Sequence, residues 1–237
     1  MLTQIAMRAD VIRPALPAGS TPPMPNLKRD GAIDANALDQ MMQLMGATMA
    51  YSRNSEIFGE NEPADYLYKV VKGGVRTYKI LSDGRRQIGG FYLPGDIFGL
   101  EFADEHTLSA EAISDTKVLV IKRSALNALA GRDASVSRQL FALSNRELRR
   151  MQTRVLLLIK SAQERVASFL LEMAERVSAG NAIELPMSRQ DIADYLGLTI
   201  ETISRTLTSL ECAAAIEVPT SRCIVLRNRS ALSRMNG

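Results

Sequence analysis

Only two of the 237 residues are cysteine, Cys212 and Cys223, and only one is histidine, His106. Two thiols in so long a chain rule out a disulfide framework. One imidazole leaves a metal centre of the several-histidine kind without its ligands. No apolar run approaches the roughly 18–20 residues that span a membrane. The N-terminus carries no apolar signal core, so the chain is expected in the cytoplasm with no membrane partner. Net charge is also scarce, at +3. Residues 1–132 hold 15 basic and 15 acidic side chains, residues 133–237 hold 14 and 11, so the whole excess lies in the second half. That mild asymmetry fits nucleic-acid binding there. The rest of the composition, 46% hydrophobic and 23% charged, is that of a folded protein with room for two domains and two cores.

The most informative stretch runs from Ser188 to Leu210, SRQDIADYLGLTIETISRTLTSL. Ile192, Ala193 and Leu196 give a first short helix its apolar face. Gly197 sits where a tight inter-helix turn needs positive φ, and Thr199 is placed to cap a second helix. In that helix Ile200, Ile203, Leu207 and Leu210 form a stripe expected to be buried. Glu201, Ser204, Arg205 and Thr208 form the opposite stripe. One face packs and the other presents Glu, Ser and Arg, the division that places a recognition helix in the DNA major groove. The competing reading is a pair of amphipathic helices in an ordinary core.

Along the rest of the chain, residues 1–30 carry five of the nine prolines without helical or strand period and are expected to be a disordered arm. A short helical pattern covers Ala37–Met45. From Met49 to Ile121 the pattern is β: Tyr66–Val71, Val75–Ile80, Gln87–Tyr92 and Lys117–Ile121 read as short strands, with turns at Gly73-Gly74, Ser82–Arg85 and Leu93–Gly99. Strands of this length and spacing suggest a sandwich or jelly roll. Residues 134–159 read as one long helix. On it Phe141, Ser144, Leu148, Met151, Val155 and Leu158 step by 3 and 4 alternately, a coiled-coil seam with one polar position. The seam must be buried, either against a second copy in a two-fold dimer or against the β domain. A helix over Ala162–Val177 and a small hairpin, Ile216–Val218 with Cys223–Leu226, complete a winged helix.

With these parts placed, the chain resembles the CRP/FNR family of bacterial transcription regulators over about residues 40–230. The residues that carry the resemblance are Leu93-Pro94-Gly95-Asp96-Ile97-Phe98-Gly99 and Ser188–Leu210. Glu62–Tyr68, Asp83–Gly89 and Ile200–Arg205 are similar to the FixK branch of that family. The resemblance implies an α+β fold: a β jelly roll of cyclic-nucleotide-binding type (residues 31–132), a dimerisation helix (133–160) and a winged helix-turn-helix (161–237). It implies a homodimeric activator that binds promoter DNA and contacts RNA polymerase, at nitrogen-fixation and low-oxygen respiration genes. It assigns base reading to Glu201, Ser204 and Arg205, phosphate contacts to Ser188, Arg189, Gln190 and Thr199, and the dimer seam to Phe141, Leu148, Met151, Val155 and Leu158. Arginine's planar fork suits guanine, and glutamate, an acceptor only, suits cytosine N4. The cyclic-AMP branch has arginine where this chain has Ile200 and glycine where it has Ser204, which implies TTGA-type half-sites here.

Cyclic-nucleotide members hold the ligand phosphate with an arginine and a serine late in the β domain. The matching positions are His106 and Thr107, beside Asp104 and Glu105, so a cyclic phosphate would meet carboxylates instead of a guanidinium. Four thiolates for an iron–sulfur cluster are lacking. No cofactor is expected, and His106 is expected to be an ordinary surface residue. The alternative is gating by an unidentified small ligand or by oxidation of Cys212 or Cys223, whose default reading is inert packing. Two rivals stand outside this scheme. One is a cupin-type metal enzyme; the other is a winged helix used for protein interaction.

Overall fold

The computed structural model describes residues 37–101, 103–157, 159–177 and 181–235. The expected arm at residues 1–30, the first residues of the expected sensor domain and Leu158 of the seam lie outside them.

Eight strands form the first half: β1 (Ala47–Tyr51), β2 (Glu56–Phe58), β3 (Tyr66–Lys72), β4 (Val75–Ile80), β5 (Arg86–Tyr92), β6 (Ile97–Phe98), β7 (Ser109–Ala112) and β8 (Thr116–Lys122). They pair antiparallel in two four-stranded sheets, ordered β1-β8-β3-β6 and β2-β7-β4-β5. Alternation along each strand decides what faces inward. Tyr68, Val70, Phe98 and Val118 from one sheet meet Phe58, Val75 and Ala110 from the other in one buried cluster. Its rings lie close, with Tyr68–Phe98 centroids 5.1 Å apart, Tyr92–Phe98 5.2 Å and Phe58–Tyr68 5.3 Å. Aromatic side chains of the roll thus pack together in its interior.

His106 corrects an expectation. It is buried rather than on the surface, at 1% exposure, and stacks flat on Phe58 with centroids 3.6 Å apart. Neither ring nitrogen has a hydrogen-bond partner among the described residues. Burial pushes its pKa below the usual histidine value, against the pull of Glu101 and Glu62.

Three helices, α1 (Ala37–Met45), α2 (Arg123–Ala130) and α3 (Ala134–Leu157), cover the outer face of the first sheet. Leu67, Leu119 and Ile121 point out from β3 and β8 and pack on Met42, Leu126, Val136 and Leu143. Only one side of α3 is used in this way. Phe141, Leu148, Met151 and Val155 of the seam are 53–71% exposed, so the roll does not bury them.

The second half contains α4 (Ala162–Val177), β9 (Ala182–Glu184), α5 (Arg189–Leu196), α6 (Ile200–Cys212), β10 (Ile216–Glu217), β11 (Cys223–Leu226) and α7 (Arg229–Met235). The hairpin of β10 and β11 gains β9 as a third strand. Phe169, Leu170, Met173, Ile203, Leu207 and Leu210 form its core. Two separate cores were the expectation, but Ile88, Phe91, Leu93 and Ile113 from the outer face of the second sheet belong to this same cluster. Among the described residues no helix is long and apolar enough to cross a membrane.

Candidate nucleic-acid interface

Ser188 begins the site. Its hydroxyl accepts from the Asp191 amide at 3.1 Å, and Asp191 accepts from the Ser188 amide at 3.0 Å, a reciprocal capping box that starts α5. Gly197 ends α5 at φ +64, a left-handed conformation that disfavours a side chain at the turn. Thr199 then caps α6, its hydroxyl accepting from the Thr202 amide at 3.2 Å. Ile203, Leu207 and Leu210 are buried, which fixes the rotation of α6.

The opposite face is open: Glu201, Arg205 and Thr208 are exposed, and Ser204 is half-buried. The Glu201 carboxyl lies below the usual carboxylate range. Hydrogen bonds from its own backbone amide and from the Thr199 hydroxyl are the main cause, and Arg205 adds to them. It is therefore an ionised acceptor at neutral pH. Among the described residues Arg205 makes only a long contact, 3.5 Å from Nε to the Glu201 carbonyl, so its planar edge is available. Ile200, expected in the buried stripe, is instead 37% exposed. As the first residue of α6 it precedes the turn that packs, and it stands beside Glu201 on the open face.

The four residues expected at phosphates sit at the starts of α5 and α6. Ser188 also donates its hydroxyl to Asp191 at 2.7 Å, and Gln190 donates to Asp194 at 2.7 Å. Arg189 is half-buried and its Nε has no partner among the described residues.

Sequence reasoning missed what holds α5 in place. Asp191 is 3% exposed. It accepts from Arg76 of β4 at 2.9 Å and from Arg86 of β5 at 2.8 Å. Arg86 also reaches Asp194 at 2.8 Å, Gln87 donates to the Asp194 carbonyl at 2.8 Å, and Glu111 closes the cluster on Arg76 at 2.9 Å. Farther along, Arg176 of α4 donates to the Phe91 carbonyl at 2.7 Å and pairs with Asp96, which Arg150 of α3 also reaches. Burial alone would raise the Asp96 carboxyl; the Leu93 amide, Arg176 and Arg150 outweigh it and hold it below its ordinary value. The consequence is electrostatic as well as mechanical. Two carboxylates of α5 would repel a phosphate, and Arg76 and Arg86 of the roll partly offset them, Arg76 being shared with Glu111. Partners separated by 105–115 positions leave no local signal, although Arg85-Arg86-Gln87 stood in a noted phrase.

Cys212 is exposed, so packing does not account for it, whereas Cys223 is half-buried; both are free thiols.

Comparison with known proteins places this geometry. The Crp-like helix-turn-helix domain matches residues 164–235, and the cyclic nucleotide-binding domain matches residues 48–133. The nitrogen fixation regulation protein FixK of Azorhizobium caulinodans is 49% identical over 226 residues, 90% of this chain and 91% of that protein. The chain belongs to the CRP/FNR family, in its FixK branch. FixK of Rhizobium meliloti is 41% identical over 183 residues, covering 77% and 83% of the two chains. The structure of FixK2 from Bradyrhizobium japonicum superposes with a TM-score of 0.79 at 52% identity, covering 81% of this chain and 98% of that one. Family membership makes the α5–α6 pair a DNA-binding helix-turn-helix of a transcription regulator. The cupin-type enzyme and protein-interaction readings fall with it, since these relatives are regulators and not enzymes.

Proposed function

We propose that this regulator works as a homodimer that reads TTGA-type palindromes and activates transcription in contact with RNA polymerase, in the cytoplasm. The observation that carries the reading is the open Glu201–Arg205 face of a helix capped and packed on its other side. Arg205 pairs with the half-site guanine, Glu201 with the bases opposite, and Ser204 approaches a base edge. Ile200, apolar and exposed on the same face, suits a thymine methyl. Ser188, Arg189, Gln190 and Thr199 hold phosphates, helped by the positive end of α5. The exposed Phe141, Leu148, Met151 and Val155 supply the dimer seam, continued by Leu158, so that two recognition helices lie about 34 Å apart, one DNA turn. In this reading the roll is residues 31–132, the dimerisation helix 133–160 and the DNA reader 161–237.

DNA binding in this reading needs neither cyclic nucleotide nor iron–sulfur cluster. The aromatic cluster inside the roll supports it, and so does a buried His106 with exposed Asp104 and Glu105 where a phosphate would sit. The ion cluster at Asp191 and Asp194 does the positioning that a ligand would otherwise do. The names of the FixK relatives support nitrogen-fixation genes as targets.

The test is binding to an operator and to its guanine-substituted variants at two salt concentrations. Arg205→Ala is expected to cost about 1–3 kcal/mol per half-site and to flatten the preference for that guanine. Arg189→Ala is expected to weaken all sequences alike and to reduce the salt dependence. An Arg205→Ala protein that keeps full discrimination at guanine would remove this face as the base reader.

A further inference from the structure

A cleft of about 540 Å³ separates the C-terminal half of α3 from α4 and the end of α5. That volume is in the range of small-molecule sites, which are mostly apolar with a few placed polar groups. Here the floor is Leu157, Phe169, Leu171 and the ring of Tyr195. The walls carry six cations: Arg146, Arg149, Arg150, Arg154, Lys160 and Arg176. Only Glu172 and Glu175 oppose them in the lining. Asp96 and Glu147 also pair with Arg150.

Four of the cations, Arg150, Arg154, Arg176 and Lys160, already have partners. Arg150 and Arg176 share Asp96, and Arg154 lies over the Tyr195 ring at 4.7 Å while donating to the Ile88 carbonyl. Arg146 and Arg149 are exposed and form no hydrogen bond or ion pair among the described residues. Guanidinium groups fixed beside an aromatic floor, with two more exposed ones in the lining, suit a ligand that has both phosphates and a flat ring. The cleft is not the dimer seam. At 100° per residue, positions 146, 149, 150, 153 and 157 fall on the side of α3 away from 141, 148, 151 and 155, while Arg154 and Leu156, which also line the cleft, lie on its two borders. A partner covering the seam therefore meets the rim of the cleft and not its wall of Arg146, Arg149 and Arg150. No residue of α6 lines it.

We propose that this cleft binds a nucleoside polyphosphate, at a site separate from the interior of the roll. The phosphates lie against Arg146, Arg149 and Arg150, and the base lies on the apolar floor beside Arg154. Because α3 forms one wall while α4 and Tyr195 of α5 form the other, the ligand ties the dimer helix to the DNA reader. That consequence rests on the DNA-binding reading above; the binding itself does not.

The experiment is calorimetric titration of the full-length protein, without DNA, with ATP, GTP, inorganic tripolyphosphate and adenosine. A nucleoside triphosphate is expected to bind at least tenfold more tightly than tripolyphosphate or adenosine alone, since both halves of the site are needed. Arg146→Ala with Arg149→Ala, two exposed changes, is expected to weaken that binding at least tenfold, and Arg149→Glu alone to weaken it as well. Three results would overturn the proposal: no heat with any probe at millimolar concentration, tight binding unchanged in these variants, or displacement of the triphosphate by operator duplex, which would give the cleft to DNA. Failure of operator binding alone would leave the titration intact and fall on the DNA-binding reading instead.

Discussion

Replacing Asp191 with alanine probes the junction between the two halves of the chain. Asp191 accepts from Arg76, Arg86 and both the amide and hydroxyl of Ser188, at 2.7–3.0 Å. Removing one partner of a buried ion pair costs about 3–5 kcal/mol when the other charge is orphaned. Neither arginine is orphaned here, since Arg76 keeps Glu111 at 2.9 Å and Arg86 keeps Asp194 at 2.8 Å. That lowers the electrostatic part to about 2 kcal/mol. Loss of the capping box adds about 1 kcal/mol, for a total near 3 kcal/mol. Urea is the denaturant of choice, because guanidinium would screen the pairs being measured. The midpoint is expected to fall with the slope unchanged. A double-mutant cycle of Arg76 and Asp191 is expected to give a coupling of at least about 1 kcal/mol. Destabilisation below about 0.5 kcal/mol, or a null coupling, would refute the claim that this cluster joins the domains.

Two further predictions concern the seam and the single histidine. Leu148→Glu places a charge in a seam that a partner would bury, costing several kcal/mol of dimer stability; sedimentation is expected to show monomer with operator binding lost, and a dimer persisting at micromolar concentration would exclude α3 as the interface. His106 is neutral when buried, so its stabilising contribution is complete above the unfolded value of about 6.5 and is lost as pH falls from there toward its lowered folded pKa. As the sole histidine it gives one imidazole signal by NMR, expected to titrate below 6.5; a value at or above 6.5 would place it at the surface.

Local pattern made much of this legible. The strand β4 at Val75–Ile80 and the helix α4 at Ala162–Val177 fall where the periodicity put them, because alternation and amphipathic spacing are set by nearest packing. The caps at Ser188 and Thr199 and the turn at Gly197 follow from side-chain chemistry within four residues. The short strands β2, β6 and β7 escaped notice, being two to four residues long with no room for a period. The helices α2 and α7, of eight and seven residues, were also missed. His106 was misjudged because a charged neighbourhood in sequence, Asp104 and Glu105, concealed an inward turn of one residue. Ile200 was misjudged in the opposite sense, since a stripe projected to the first helical residue overruns the packed turn. The arginines of β4 and β5 that hold α5 carry no sequence signal of their destination, because ion pairing across the fold has no period.

In the proposed function two copies of this chain read a palindrome with no nucleotide in the roll. The direct measurement is titration of a labelled TTGA-palindrome duplex with extensively dialysed protein, alone and with saturating cyclic AMP, against a duplex with both guanines replaced. Two chains per duplex, at least a tenfold preference for the intact palindrome, and the same affinity with and without cyclic AMP are expected. Binding that appears only when cyclic AMP is added, or a single chain per duplex at saturation, would contradict it.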